Sequence, residues 1–138
     1  MTKVFVNGTF DVLHSGHLYL LEYAKSLGDY LLVAIDDDAR VKIKKGNTRP
    51  VNSAITRTHI INSLKWVDKV TTFNTDEELE NTIKEYEPDV MVVGSDWKEK
   101  NIIGSNYSKQ LIFFDRILGL STTNTLDKYL LGIRENNT

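Results

Sequence analysis

Two histidines three residues apart, His14 and His17, stand in the segment Asn7-Gly-Thr-Phe-Asp-Val-Leu-His-Ser-Gly-His17. An apolar run, Val4–Val6, precedes them and a helical pattern follows from Leu18. At that spacing both imidazoles share one face of a first helical turn. A helix start offers unpaired N–H groups and the positive end of the helix dipole, which together attract anions. Two ring donors added there suit a polyphosphate. Gly8 and Gly16 allow close approach of the backbone, and Thr9 with the Gly8–Phe10 backbone lines the place of an α-phosphate. A zinc reading needs a third ligand. His59, Asp11 and Asp36–Asp38 are its candidates, and there is no cysteine to help. It is the weaker reading of the pair.

These residues need elements to hold them. Val4–Val6 reads as a buried strand. Leu18–Ser26 reads as a helix with Leu20, Leu21, Ala24 and Leu27 on one face and Gly28 as its stop. Tyr30–Ile35 is apolar throughout, as a parallel strand covered on both faces should be. Val41–Pro50 is basic and reads as a loop. Asn52 or Ser53 caps a helix through Ile55, Ile60, Ile61 and Leu64. Lys69–Phe73 is a strand. Thr75 with Glu78 has the form of a capping box before Leu79–Tyr86, which Pro88 ends. Val90–Val93 and Leu111–Phe114 are further strands, Thr123–Leu131 a last helix, and Glu135–Thr138 a frayed tail. Alternating strands and helices predict an α/β, Rossmann-like doubly wound fold: a mostly parallel five-stranded sheet with helices on both faces, in one domain over residues 1–138. Ligands of such sheets bind at the carboxyl ends of the strands. Here those ends carry Asn7–Asp11, Asp36–Asp38, Gly94–Trp97 and Arg116–Thr123.

Composition narrows the classes. A net charge of −2 argues against a nucleic-acid binder that works by charge. The absence of cysteine excludes disulfides and thiol chemistry. No signal pattern and no apolar run of about 18 residues is visible, so the expectation is a cytoplasmic chain with no membrane partner.

The His14-Ser-Gly-His17 segment resembles the HxGH signature of the nucleotidylyltransferase superfamily, and Ser121-Thr122-Thr123 resembles its STT motif. On these motifs the chain is identified as a member of the cytidylyltransferase-like branch, over residues 3–131. The resemblance implies transfer of a nucleoside monophosphate from a nucleoside triphosphate to a phosphorylated acceptor, with pyrophosphate leaving. It implies catalytic roles for His14, His17, Lys45 and Arg116. It implies nucleotide contacts from Gly8, Thr9, Phe10, Asp11, Gly16, Asp96, Ser121, Thr122 and Thr123. Asp36, Asp38, Lys42, Arg57 and Lys65 are the implied acceptor contacts. Mg²⁺ is the implied cofactor, with Asp11 as a ligand, and a homodimer the implied assembly. Lys45 before Gly46 matches the lysine–glycine pair of the sugar-phosphate branch, and Lys42 a second lysine there. Lys65 stands where glycerol-phosphate cytidylyltransferases carry arginine, and so keeps the charge without the planar fork.

Two branches compete. Asn7-Gly8, Arg49-Pro-Val-Asn52 and Ile102-Ile-Gly104 resemble the heptose 1-phosphate adenylyltransferases. Thr9-Phe10-Asp11, Gly94-Ser-Asp96-Trp97-Lys98 and Arg116 ahead of Ser121 resemble glycerol-3-phosphate cytidylyltransferase, although Ile117 stands where that pattern has threonine. Arg116 beside the base tips the expectation to CTP, with a phosphorylated polyol or sugar as acceptor. ATP with a heptose 1-phosphate-type sugar is the alternative, and a non-catalytic nucleotide-binding module the second.

Overall fold

The computed structural model describes residues 1–95 and 100–115. In chain order the elements are β1 (Lys3–Gly8), α1 (Ser15–Ser26), β2 (Tyr30–Asp36), α2 (Asp38–Lys45), α3 (Ala54–Asn62), β3 (Lys69–Phe73), α4 (Asp76–Tyr86), β4 (Val90–Gly94) and β5 (Gln110–Phe114). A short 3-10 turn, Ser105–Tyr107, precedes β5. The five strands form one sheet in the order β3-β2-β1-β4-β5. Every pairing is parallel, with Val4 opposite both Leu31 and Val90. The order runs outward in one direction from β1 to β3 and in the other from β4 to β5. The reversal between β1 and β4 is a topological switch point, and ligands of such sheets bind at the carboxyl ends of the strands there.

The side-chain alternation of a strand explains why both faces are apolar. In β2, Leu31, Val33 and Ile35 turn to one face, where Leu21 and Ala24 of α1 and Ile61 of α3 cover them. Leu32 and Ala34 turn to the other, against Leu79 and Ile83 of α4. Three carboxylates and a phenol finish the strand starts. Asp89 accepts the Lys3 amide at 2.8 Å and Asp68 the Leu31 amide at 2.8 Å, while Asp29 accepts that of Thr2 at 2.8 Å. The Tyr86 hydroxyl lies 3.1 Å from the Val4 carbonyl and 3.2 Å from that of Tyr30. Burial, then the neighbouring Tyr30, pushes this phenol well above its ordinary value.

The caps follow the sequence. The Ser53 hydroxyl accepts the Thr56 amide at 3.3 Å, and that of Thr75 accepts the Glu78 amide at 3.1 Å. Glu78 reaches one residue further back than a capping box requires, to the Asn74 amide at 2.7 Å. Glu87 ends α4 in the left-handed region, φ 52°, immediately before Pro88.

One expectation is corrected. Asp38–Lys45, most of it read as loop, is helix α2. Asp37 caps it through the Asp38 amide at 2.8 Å. Asp38 in the first turn and Lys42, Lys44 and Lys45 in the last suit the helix dipole. Only Val41 is buried, and Ile43 is 86% exposed. A helix so short and so little buried leaves no apolar period to read. The expected helix over Thr123–Leu131 and the tail after it lie outside the described residues.

Candidate active site

Both histidines sit at the start of α1, just beyond the carboxyl end of β1. His14 is the N-cap residue and His17 the third residue of the helix. His14 Nδ1 accepts the Gly16 amide at 3.0 Å, and His17 Nδ1 accepts the His14 amide at 3.2 Å. This is a capping box in which imidazoles replace the usual hydroxyl and carboxylate. A ring nitrogen that accepts an N–H carries no proton itself, so each neutral ring bears its hydrogen on Nε2. The rings stack with centroids 3.8 Å apart at 26°. The backbone thus fixes both the orientation and the tautomer of two donors. Gly16 is revealed as the donor to the His14 ring.

The loop that carries them is strained. Phe10 has φ 50° and Val12 φ 53°. A β-branched residue there is an outlier, at about 1–3 kcal/mol. Between them Asp11 is 1% exposed. Its carboxylate accepts the Val51 amide at 2.7 Å, the Asn52 amide at 2.9 Å and Arg49 Nε at 3.2 Å. Three donors hold this side chain against the 49–52 segment, across 38 to 41 positions of sequence. A metal ligand needs its oxygens turned to the ion, and these are turned to protein donors. The geometry therefore does not fit Asp11 as a ligand of Mg²⁺. Among the described residues no group of three or more His, Cys, Asp or Glu stands ready for a metal.

The Phe10 side chain belongs to the core: the residue is 5% exposed and its ring meets that of His17 edge-on at 5.4 Å. A Cβ at Gly8 would stand 2.9 Å from Phe10 Cε2. The glycine makes room for that ring.

The acceptor set is largely scaffold. Arg57 is 1% exposed. Its Nη1 donates to the carbonyls of Thr9 at 2.9 Å and Asp36 at 2.7 Å, its Nε to that of Asn52 at 3.0 Å, and its Nη2 to Asp38 Oδ1 at 2.9 Å. One guanidinium ties together the ends of β1 and β2 and the start of α3, and this corrects its reading as an acceptor contact. Asp38 Oδ1 also accepts the Ala54 amide at 2.8 Å. Asp36 is 5% exposed; it accepts the Thr9 hydroxyl at 2.8 Å and Arg40 Nε at 2.9 Å. It orients that hydroxyl.

Lys42 and Lys45 are exposed on α2. Lys65 is not brought to the site. Asp68, three residues on, accepts the amide of Leu31 at the start of β2. Lys65 is therefore at the amino ends of the strands, opposite the histidines, with its Nζ 5.5 Å from the Trp66 ring centre. Asp96, Arg116, Ser121, Thr122 and Thr123 lie outside the described residues. The sequence singled out Arg49-Pro-Val-Asn52 as a motif, but not that Arg49 and the 51–52 amides bind Asp11.

A helix start with two oriented imidazoles stands at the topological reversal of a parallel sheet, an arrangement suited to a phosphate-bearing ligand. A family model described as cytidylyltransferase-like matches residues 5–124, and the chain belongs to that family. It is 42% identical over 127 residues to the bifunctional protein HldE of Campylobacter fetus, covering 92% of this chain and 28% of that protein. Against the bifunctional protein HldE of Helicobacter hepaticus it is 43% identical over 124 residues, covering 90% and 26%. The chain thus spans about a quarter of the length of the curated relatives it matches. A lipopolysaccharide core biosynthesis protein from Thermoplasma volcanium superposes with a TM-score of 0.66 at 26% identity, over 88% of this chain and 99% of that one. Pantoate–β-alanine ligase from Francisella tularensis shares the fold at a TM-score of 0.59 and 19% identity, over 90% of this chain and 65% of that one. Among the described residues no helix is long and apolar enough to cross a membrane.

Proposed function

We propose that this chain transfers an adenylyl group from ATP to the phosphate of a heptose 1-phosphate-type sugar and releases pyrophosphate. The observation that carries the transfer is the locked histidine pair, with both Nδ1 atoms accepting backbone N–H. An oxygen of the sugar phosphate attacks the α-phosphorus of ATP. The bond from that phosphorus to the α–β bridging oxygen breaks, and pyrophosphate leaves with the bonding pair. The Nε2–H groups of His14 and His17 donate to the phosphate oxygens on which charge accumulates. Donors fixed before the reaction stabilise that charge without reorganising. No covalent intermediate with the protein is needed, so positioning does the rest. ATP enters with its magnesium ion as part of the substrate, and no residue here is assigned to the metal.

The choice of ATP is supported by the similarity to HldE proteins across nine-tenths of this chain. It is supported also by Asn7-Gly8, Arg49-Pro-Val-Asn52 and Ile102-Ile-Gly104, which resemble the heptose branch. The CTP reading rests on Arg116, five positions before Ser121, and is the second reading. A homodimer in the cytoplasm completes the proposal. Calorimetric titration of the protein with Mg-ATP and Mg-CTP tests the nucleotide. Tighter ATP binding supports the adenylyl reading, and tighter CTP binding, abolished by Arg116→Ala, overturns it.

A further inference from the structure

We propose that Arg49 is a phosphate-binding residue of the site and that the phosphate it takes is that of the acceptor. This rests on the nucleotidyl-transfer reading above. The Arg49 side chain is only 13% exposed. Its Nε is committed to Asp11. Its Nη2, by contrast, is buried and has no hydrogen-bond partner among the described residues. A buried donor on a charged group is costly to leave unmade, and such groups are among the rarest in folded proteins. An anionic oxygen is the partner that this donor lacks. Asp11, which accepts two amides and the Nε, makes no hydrogen bond to it.

The fold says which phosphate. The nucleotide crevice lies at the reversal between β1 and β4. Arg49 lies on the other flank of the His14 loop. Its segment leads into α3, which Asp38 caps and Arg57 ties to the end of β2. Nucleophile and leaving group stand roughly in line across the phosphorus they exchange. With the nucleotide on the β4 flank, the acceptor enters from the β2 flank, where α2 also presents Lys42, Lys44 and Lys45. A guanidinium whose Nε is pinned and whose Nη2 still lacks an acceptor is held in place for a phosphate monoester.

The chemistry of a phosphate oxygen is shared by acceptor and triphosphate, so the experiment separates them. Wild-type protein and Arg49→Lys are titrated with inorganic phosphate in the presence of saturating Mg-ATP, following the arginine side-chain N–H signals by NMR. Mg-ATP affinity is measured for both by calorimetry. We expect phosphate to shift the Arg49 signal, the variant to bind phosphate roughly ten- to a hundredfold more weakly, and ATP affinity to stay within about twofold, well below one decade of binding free energy. Loss of ATP affinity in step with phosphate would assign Arg49 to the triphosphate and overturn the proposal. An Arg49 signal that answers to neither would leave a buried water as its partner and overturn it too. Should the variant fail to fold, the wild-type titration alone decides. A wild-type chain that binds phosphate through Arg49 yet releases no pyrophosphate with any sugar phosphate would sink the function and spare the site.

Discussion

At the scale of single residues, His14 and His17 have two jobs with one ring each in the proposed reaction. Nδ1 closes the helix start, and Nε2 is proposed to donate to the reacting phosphates. The two jobs can be separated. His14→Ala should lower kcat by about 10²–10³, the size of one lost transition-state donor. The same change removes an N-cap and should destabilise the fold by about 1 kcal/mol. His14→Asn restores a side-chain acceptor at the cap without the ring donor. Steady-state kinetics beside denaturant melts should find its stability near wild type and its kcat as low as that of the alanine variant. Recovery of kcat in His14→Asn would make the histidine a cap alone. Arg57 presents the opposite case, a charged residue whose work is structural. Arg57→Ala strands three carbonyls and Asp38 and should destabilise the protein by about 3 kcal/mol or more in a urea melt. Arg57→Lys should rescue little, because one ammonium cannot span four acceptors that a planar fork reaches.

Among the elements, the central strands were legible because they are apolar on both faces and bounded by polar residues, as β2 is over Tyr30–Asp36; the edge strand β3 stands at Lys69–Phe73 as its sequence predicts, although only Phe73 in it is buried. The caps Ser53 and Thr75 were legible from residue type. Helix α2 was not, since Val41 is its one buried residue. The loop that carries His14 and His17 was legible as a motif, but its supports were not. Asp11 reads as a phosphate or metal residue from its neighbours in sequence, and its partners are some forty residues away. Arg57 and Asp36 look like substrate contacts for the same reason: charge near a motif does not tell burial. At the far end of the sheet the carboxylates of Asp68 and Asp89 hold strand starts. Burial raises the Asp68 carboxyl, but Lys25 and the Leu31 amide outweigh it and leave it below its ordinary value. The Lys3 amide, then Lys109, lowers Asp89. A carboxyl lowered in the folded state stabilises above its unfolded value, about 4, and loses that contribution as pH falls through the lowered value. Asp68→Asn and Asp89→Asn should therefore lower Tm at pH 7. The gap to wild type should narrow steadily below about pH 4 in calorimetric scans. A gap that is independent of pH would assign these residues a role without charge.

For the whole molecule, the account joins a parallel sheet, a reversal between β1 and β4, and a strained loop pinned by Asp11 that sets two imidazoles at a helix start. The flanks of that loop differ, and the difference suits two substrates that meet at one phosphorus. In the proposed reaction the β4 flank takes the nucleotide, and the β2 flank, with Arg49 and the lysines of α2, takes the acceptor. The reaction itself gives the most direct test. Pyrophosphate release is measured with ATP, CTP, UTP and GTP, each crossed with heptose 1-phosphate, other sugar 1-phosphates and glycerol 3-phosphate. The account predicts turnover with ATP and a heptose 1-phosphate-type sugar, lost in the His14→Asn variant. Faster release from CTP with glycerol 3-phosphate, or release from ATP that survives His14→Asn, would contradict it.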